Sequence, residues 1–294
     1  MYFRTDLALE ETQQLPHPLP GISSTQTKAG SLNVHIVEVQ TAQAAQQLRK
    51  PVGRYITVET PPLSGSALPS QEDISAAAQQ LSPLLPQEGT VLVVGLGNTD
   101  ITPDALGPDT AAGVLATRHL TGEVAKSTGL DNLRGVAVLA PGVMGQTGIE
   151  SGEIIAGVVE QIQPCAVIAI DALAARSASR IGCTLQFSNS GITPGAGVHN
   201  ARKELCQQTL GVPVISVGIP TVVDAATLAS DLLYGQQEPD PQVRALFEPR
   251  GAKMMVTPRE IDLVIERGSR FLSAIINTAL QPSLSLEDIS YLMA

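Results

Sequence analysis

Apolar and polar positions follow two rhythms along this chain. Near the N-terminus, residues 33–39 (NVHIVEV) and 54–59 (RYITVE) alternate apolar and polar, the period of a strand with one buried face. Between them, residues 41–49 are rich in Ala and Gln and read as a helix, and residues 71–85 read as another. Further on, alternation gives way to continuous apolar runs: 91–94 (VLVV), 136–139 (VAVL), 167–170 (VIAI) and 214–217 (VISV), each bounded by Gly, Pro or Asp. Helix-like stretches at 107–120, 149–162 and 201–210 separate these runs. Strands apolar on both faces, interleaved with amphipathic helices, predict an α/β fold: a mostly parallel sheet with helices on both faces.

The punctuation adds detail. Residues 11–31 are polar and carry Pro16, Pro18, Pro20 and Gly21, so they read as loop. Residues 182–187 add a possible strand ahead of the glycine-rich loop GITPGAG at 191–197, and residues 223–233 read as a helix. Residues 235–252 have the least ordered composition. At Thr257-Pro258-Arg259-Glu260, a Thr N-cap, a Pro at the first helical position and a Glu three residues on predict the start of a helix running to about Ala279. A short final helix is expected over residues 286–293.

Composition narrows the picture. The 294 residues are 43% hydrophobic and 16% charged, enough apolar content for a large core, but aromatics are only 3% and Trp is absent. The core must therefore be aliphatic. A net charge of −10 argues against a nucleic-acid surface, which needs clustered Lys and Arg. Cys165, Cys183 and Cys206 form no CxxC and fit reduced thiols. No basic, then apolar, leader opens the chain, and no apolar run reaches membrane-spanning length, so an intracellular, non-membrane protein is expected.

Two carboxylates stand where open parallel sheets gather ligands, at the carboxyl ends of strands. Asp171 directly follows the run VIAI, and Asp104 lies in the loop GLGNTDITPDALGP after VLVV. A charge placed beside a buried strand is costly unless it is paired, hydrogen-bonded or used. Helix capping and backbone hydrogen bonds are the bland alternatives for both. If the two share a cleft, one holds a proton while the other is ionised, which suits acid–base hydrolysis of a peptide without a covalent intermediate.

Other motifs fail. Gly95 and Gly97 lack the third glycine of GxGxxG, since Asp100 stands there, and neither GxxxxGK[ST] nor GxSxG occurs. Ser190 has no recognisable His partner motif. Among His17, His35, His119 and His199 only His199 sits near a candidate loop, and a structural role is the better expectation for it. Glu150 and Glu153 fit a helix first turn, Arg176 a surface ion pair, and Cys165 and Cys206 burial. Glu59 and Asp224 are further acids near strand ends or helix starts.

The strings RTDLALE, GRYITVE, VVGLGNTDITPDALGP, APGVMGQTGIES, AIDALAARS, SGITPGAGV, GIPTVVDA and MMVTPREID, in order from residue 4 to about 265, resemble the germination proteases of spore-forming Firmicutes. The resemblance implies an atypical aspartic peptidase whose catalytic residues are Asp104 and Asp171, with a fold similar to hydrogenase maturation endopeptidases. It implies an endopeptidase that begins the degradation of small acid-soluble spore proteins during germination, in the forespore or spore-core cytoplasm, as a homotetramer and without a cofactor or metal. A self-processing zymogen is also implied. Thr5-Asp6-Leu7-Ala8 resembles the family's cleavage site, so residues 1–6 would be a propeptide cut at the Asp6–Leu7 bond, leaving one domain over 7–294, and an exposed, poorly structured N-terminus would suit that cut. Three features depart from the family pattern: the short propeptide, the abbreviated 235–252 region, and Asn189 and Thr193 where Asp and His are expected. Two alternatives stay open: a metal-dependent maturation-type endopeptidase, and a non-catalytic binding protein on a peptidase fold.

Overall fold

A computed structural model describes residues 5–15, 19–120, 130, 132–194, 203–234 and 254–293. Its centre is a nine-stranded sheet in the order β1-β2-β3-β7-β8-β6-β4-β5, with β9 pairing β8. The strands are β1 Ile22–Ala29, β2 Leu32–Val39, β3 Gly53–Glu59, β4 Val91–Gly95, β5 Val136–Leu139, β6 Ala166–Ala175, β7 Thr184–Ser188, β8 Val214–Asp224 and β9 Met255–Val256. The expected parallel block is the run β5-β4-β6-β8, whose strands are the four continuous apolar segments. The remaining strands join antiparallel, through β7 against β8, so the sheet as a whole is mixed.

Helices cover both faces. On one, Leu81, Leu106, Leu272, Ile275 and Ile276, from helices Gln71–Leu81, Leu106–Ala112 and Ile261–Leu280, pack on Val93, Ile168, Ile170 and Val217. On the other, Ile155 and Val159 of helix Ser151–Ile162 pack on Leu92, Val94, Val167 and Ala169. Further along that face, Ala8, Ala44 and Leu48 pack on Val37, Val39 and Tyr55. Each fully buried Leu or Ile contributes about 1.5–3 kcal/mol through removal from water, so these layers hold the sheet rather than any single bond.

Several expectations are corrected. Residues 22–29 are not loop but an edge strand, held by main-chain pairing with β2 while most of its side chains face solvent. The helix expected over 107–120 stops at Ala112, because the backbone beyond it is engaged elsewhere. The Leu115 amide donates to Asn277 Oδ1 at 2.9 Å, the Gly113 carbonyl accepts from Asn277 Nδ2 at 2.9 Å, and the amides of Thr117 and Arg118 both donate to Val136 O. Of the helix expected over 201–210, only Gln207–Leu210 is helical, and residues 201 and 202 lie outside the described residues. The stretch 235–252 likewise lies outside them. Thr257 does not cap a helix: its hydroxyl donates to Thr221 O at 2.8 Å, and the long helix begins at Ile261. Among the described residues no helix is long and apolar enough to cross a membrane.

Candidate active site

β4 ends at Gly95, opposite Ile170 of β6, and the Leu96 amide makes one last bond to Ile170 O at 2.8 Å. The chain then turns away through Gly97, at φ +126, where a Cβ would lie 2.0 Å from Asp104 O. That contact and that dihedral both demand glycine. The loop folds back on itself: the Asn98 amide donates to Asp104 Oδ2 at 2.9 Å, and the Asp104 amide donates to Ile101 O at 2.8 Å. Thr221 Oγ1 of β8 fastens the loop by donating to Pro103 O at 2.8 Å.

Asp171 does not end its strand as its place after VIAI suggests. β6 continues to Ala175, and Asp171 lies inside it, 8% exposed, at the first position past the reach of β4. Its neighbours in the sheet are informative. Asp171 pairs with Gly218 of β8, and Gly218 pairs in turn with Gln186 of β7. Paired residues share a face, so the Asp171 and Gln186 side chains flank a position with no side chain. A Cβ at 218 would lie 2.5 Å from Asp171 O and 2.7 Å from Leu173 Cγ. The result is a cleft of about 580 Å³ whose lining includes Asp104, Asp171, Gln186, Tyr55, Lys50 and Asp6. Residues far apart in sequence, Asp104 and Asp171, thus line one cavity.

The N-terminal segment reaches this cleft at Asp6. Thr5, Leu7 and Ala8 are buried, at 4%, 0% and 0% exposure, which overturns the expectation of an exposed, poorly structured terminus at these residues. The Asp6 amide donates to Ala174 O, and the Ala174 amide donates back to Asp6 Oδ2, both at 2.8 Å. Leu7 packs with Leu173 and Ala175. Gln186 Nε2 donates to Asp6 O at 2.9 Å while the Ala8 amide donates to Gln186 Oε1 at 2.8 Å. Lys50 Nζ donates to Thr5 O at 2.9 Å. Helix Ala8–Gln13 anchors the segment at its far end: Glu10 accepts from the Arg176 and Ser177 amides and from the Thr5 hydroxyl, and it pairs with Arg180. Burial pushes the neighbouring Glu11 carboxyl up, against the pull of Lys50 and Arg49.

Comparison with known proteins places this arrangement. Residues 4–234 match the family described as germination protease. The chain belongs to the germination protease family. Its germination protease relatives include one from Clostridium perfringens (strain SM101 / Type A), 39% identical over 98% of each chain. Another, from Clostridium tetani, is 39% identical over 99% of this chain and all of the relative. The Bacillus subtilis germination protease is 36% identical over 97% of this chain and 95% of its own. Family membership makes the chain a peptidase. Among solved structures, a [NiFe] hydrogenase maturation protease from Thermococcus kodakarensis superposes with a TM-score of 0.38 at 17% identity, covering 68% of this chain and 98% of the other.

The other residues singled out in the sequence scatter. Thr193 lines the cleft; Asn189 instead accepts the Arg54 amide through Oδ1 at 2.8 Å. Ser190 also lines the cleft, with its hydroxyl 2.7 Å from that of Ser188. Glu59 is elsewhere, binding Arg180 and His35. Burial alone would push its carboxyl up, but the Arg180 hydrogen bond and the nearby His35 hold it below the ordinary carboxylate range. Asp224 caps the helix Ala225–Tyr234 by accepting from Thr227, and Glu150 and Glu153 sit at the start of Ser151–Ile162 as the helix dipole favours. Arg176 contributes its amide to Glu10. Cys206 is buried and Cys165 half-buried, and His199 lies outside the described residues. No cluster of three or more His, Cys, Asp or Glu suited to a metal occurs among the described residues.

Sequence reasoning missed Gln186, Lys50, Tyr55 and Glu204, which line the cleft. Burial pushes the Tyr55 hydroxyl up to about 12, so it stays protonated and donates to Pro51 O at 2.8 Å. The one available signal for Gln186 was its place in the alternating string TLQFS, on the face opposite buried Leu185 and Phe187.

Proposed function

We propose that this chain is an endopeptidase of spore germination in which Asp104 and Asp171 together activate water against a peptide carbonyl. The observation that carries the reading is that both aspartates line one cleft. Two carboxylates sharing a site do not both ionise cheaply, so the pair titrates as a unit with one proton between them. The ionised member takes a proton from water as its oxygen adds to the carbonyl carbon. The protonated member gives its proton to the carbonyl oxygen. As the tetrahedral diol collapses, the aspartate protonated by water gives that proton to the departing amine, the C–N bond breaks, and a diol hydroxyl returns its proton to the other aspartate.

By the same reading, the substrates are small acid-soluble spore proteins, the site of action is the spore-core cytoplasm, and the working form is a homotetramer of domains spanning residues 7–294. The chain removes its own residues 1–6 by cutting the Asp6–Leu7 bond. The place of Asp6 in the cleft supports this cut better than a loose terminus would, because Gln186 already holds the carbonyl of that bond.

The test is Asp104→Asn and Asp171→Asn, assayed on a peptide containing Thr-Asp-Leu-Ala and by intact mass for loss of residues 1–6. Each variant should fold as wild type and lose about 10²–10⁴-fold in rate, the range for removal of a positioned acid or base. Wild-type rates in either would reject the pair.

A further inference from the structure

We propose that Gln186 is a substrate-binding catalytic residue that reads the peptide main chain across the bond to be cut. This rests on the reading above that the cleft hydrolyses peptides, and it adds a group to which that reading gave no role.

Along the row Asp171–Gly218–Gln186, three strands present, side by side, an acid, a glycine and an amide on one face. Leu173 covers the glycine, since a Cβ there would meet Leu173 Cγ at 2.7 Å, and Leu7 of the N-terminal segment packs on Leu173 in turn. A peptide that follows this segment lies over Leu173 with the Gln186 amide beside it. The protein's own segment shows what the amide does there. Gln186 Nε2 donates to the carbonyl of Asp6, and Gln186 Oε1 accepts from the amide of Ala8, at 2.9 and 2.8 Å. Its orientation is dictated by its partners, since a carbonyl needs a donor and an amide needs an acceptor.

These two bonds fall on either side of the Asp6–Leu7 bond and touch only main-chain atoms. A residue that recognises backbone alone tolerates varied side chains, which suits any peptide laid in the cleft in the same register. The donor is also well placed for chemistry. When water adds to the Asp6 carbonyl carbon, negative charge builds on the oxygen that Nε2 already faces until the proton of the protonated aspartate reaches it. A preformed donor at that point strengthens as the charge grows, and removing such a donor costs about 10²–10³-fold in kcat in other hydrolases. Gln186 is 6% exposed, so its amide is screened from water and its own freedom is small. No proton leaves Gln186 at any step.

The alternative is that Gln186 merely glues the N-terminal segment to the sheet. The two roles separate on kinetics. The full chain is incubated until its N-terminal mass is constant, and a Thr-Asp-Leu-Ala-containing peptide is then supplied. Gln186→Glu keeps the shape and the acceptor but replaces the Nε2 donor by oxygen. It should lower kcat at least 100-fold, with KM raised no more than about tenfold, the worth of one ground-state bond, and an unchanged melting temperature. A kcat within threefold of wild type overturns the assignment. Should this variant melt early, wild-type protein answers the question with a second peptide, in which the amide of the residue two beyond the cut bond is replaced by an ester oxygen. That peptide cannot donate to Oε1 and should bind about tenfold more weakly, the worth of one such bond. Affinity within twofold of the parent peptide overturns the assignment as well. If wild type binds the parent peptide, discriminates against the ester and hydrolyses neither, the peptidase reading fails while Gln186 as a main-chain reader stands.

Discussion

The two halves of the sheet solve different problems. In the parallel half, β4 and β6 are buried along nearly their whole length, and the chain can be read there as apolar runs. In the antiparallel half, β1 and β2 form a hairpin with one wet side, and β3 and β7 turn polar groups such as Gln186 inward. The parallel half carries Asp104 and Asp171, on or beside strands buried along most of their length. The antiparallel half supplies Gln186, the side chain that holds the main chain of Asp6 and Ala8. The cleft exists because the two meet at β8, which is parallel to β6 on one side and antiparallel to β7 on the other. Neither half alone would place an acid opposite an amide across a glycine.

This contrast can be broken at the seam. Gly218→Ala puts a methyl 2.5 Å from Asp171 O, and the strand must move to admit it. A shift of about 1 Å in a catalytic group costs on the order of 10²-fold, so activity should fall by that factor, with about 1–3 kcal/mol lost from stability through overpacking. Assays and melting curves unchanged from wild type would show that the seam does not position Asp171. Next in size is Leu7→Ala, which empties a fully buried site between Leu173 and Ala175. It should cost about 2–5 kcal/mol, seen as a lower melting temperature and as faster hydrogen exchange confined to residues 5–13 and their contacts. Fast exchange at those amides in wild type already would mean the segment is not docked.

The smallest effect is one of pH and touches the antiparallel half. Glu59 and Asp73 both have carboxyls held low, Glu59 by Arg180 and His35, and Asp73 by Ser31 and Ser70, in each case against the opposing effect of burial. A lowered carboxyl pKa stabilises the fold fully above the ordinary carboxylate range, and that contribution is lost as pH falls through the lowered folded value. Exchange in β1–β3 should therefore rise in acid before that in β4–β6. Simultaneous loss of both halves would contradict the separation.

Legibility in the sequence divides along the same line. The apolar runs of β4, β5, β6 and β8 were legible because a strand buried on both faces has no choice of residue. Their lengths were not. Asp171 looks like a terminator, yet a single carboxylate can sit within a strand if the next strand over, here β4, stops before reaching it. β1 was illegible for the opposite reason: an edge strand held by main-chain bonds needs no pattern in its side chains. The helix overrun past Ala112 failed because Asn277, far along the chain, claims the backbone of residues 113 and 115. Asp104 and Asp171 could be nominated from position and resemblance. Gln186 could not, since its meaning depends on a register between strands that sequence does not print.

Asp171 and Asp104 are also mounted very differently. The backbone of Asp171 is woven into the middle of a sheet, whereas Asp104 rides on a glycine-hinged turn that the Thr221 hydroxyl ties down. One jaw is fixed to the anvil and the other is hung on a latch. Any retuning of this enzyme toward different peptides, by selection or by design, would therefore be expected to concentrate in residues 97–105, leaving the strand that bears its partner untouched.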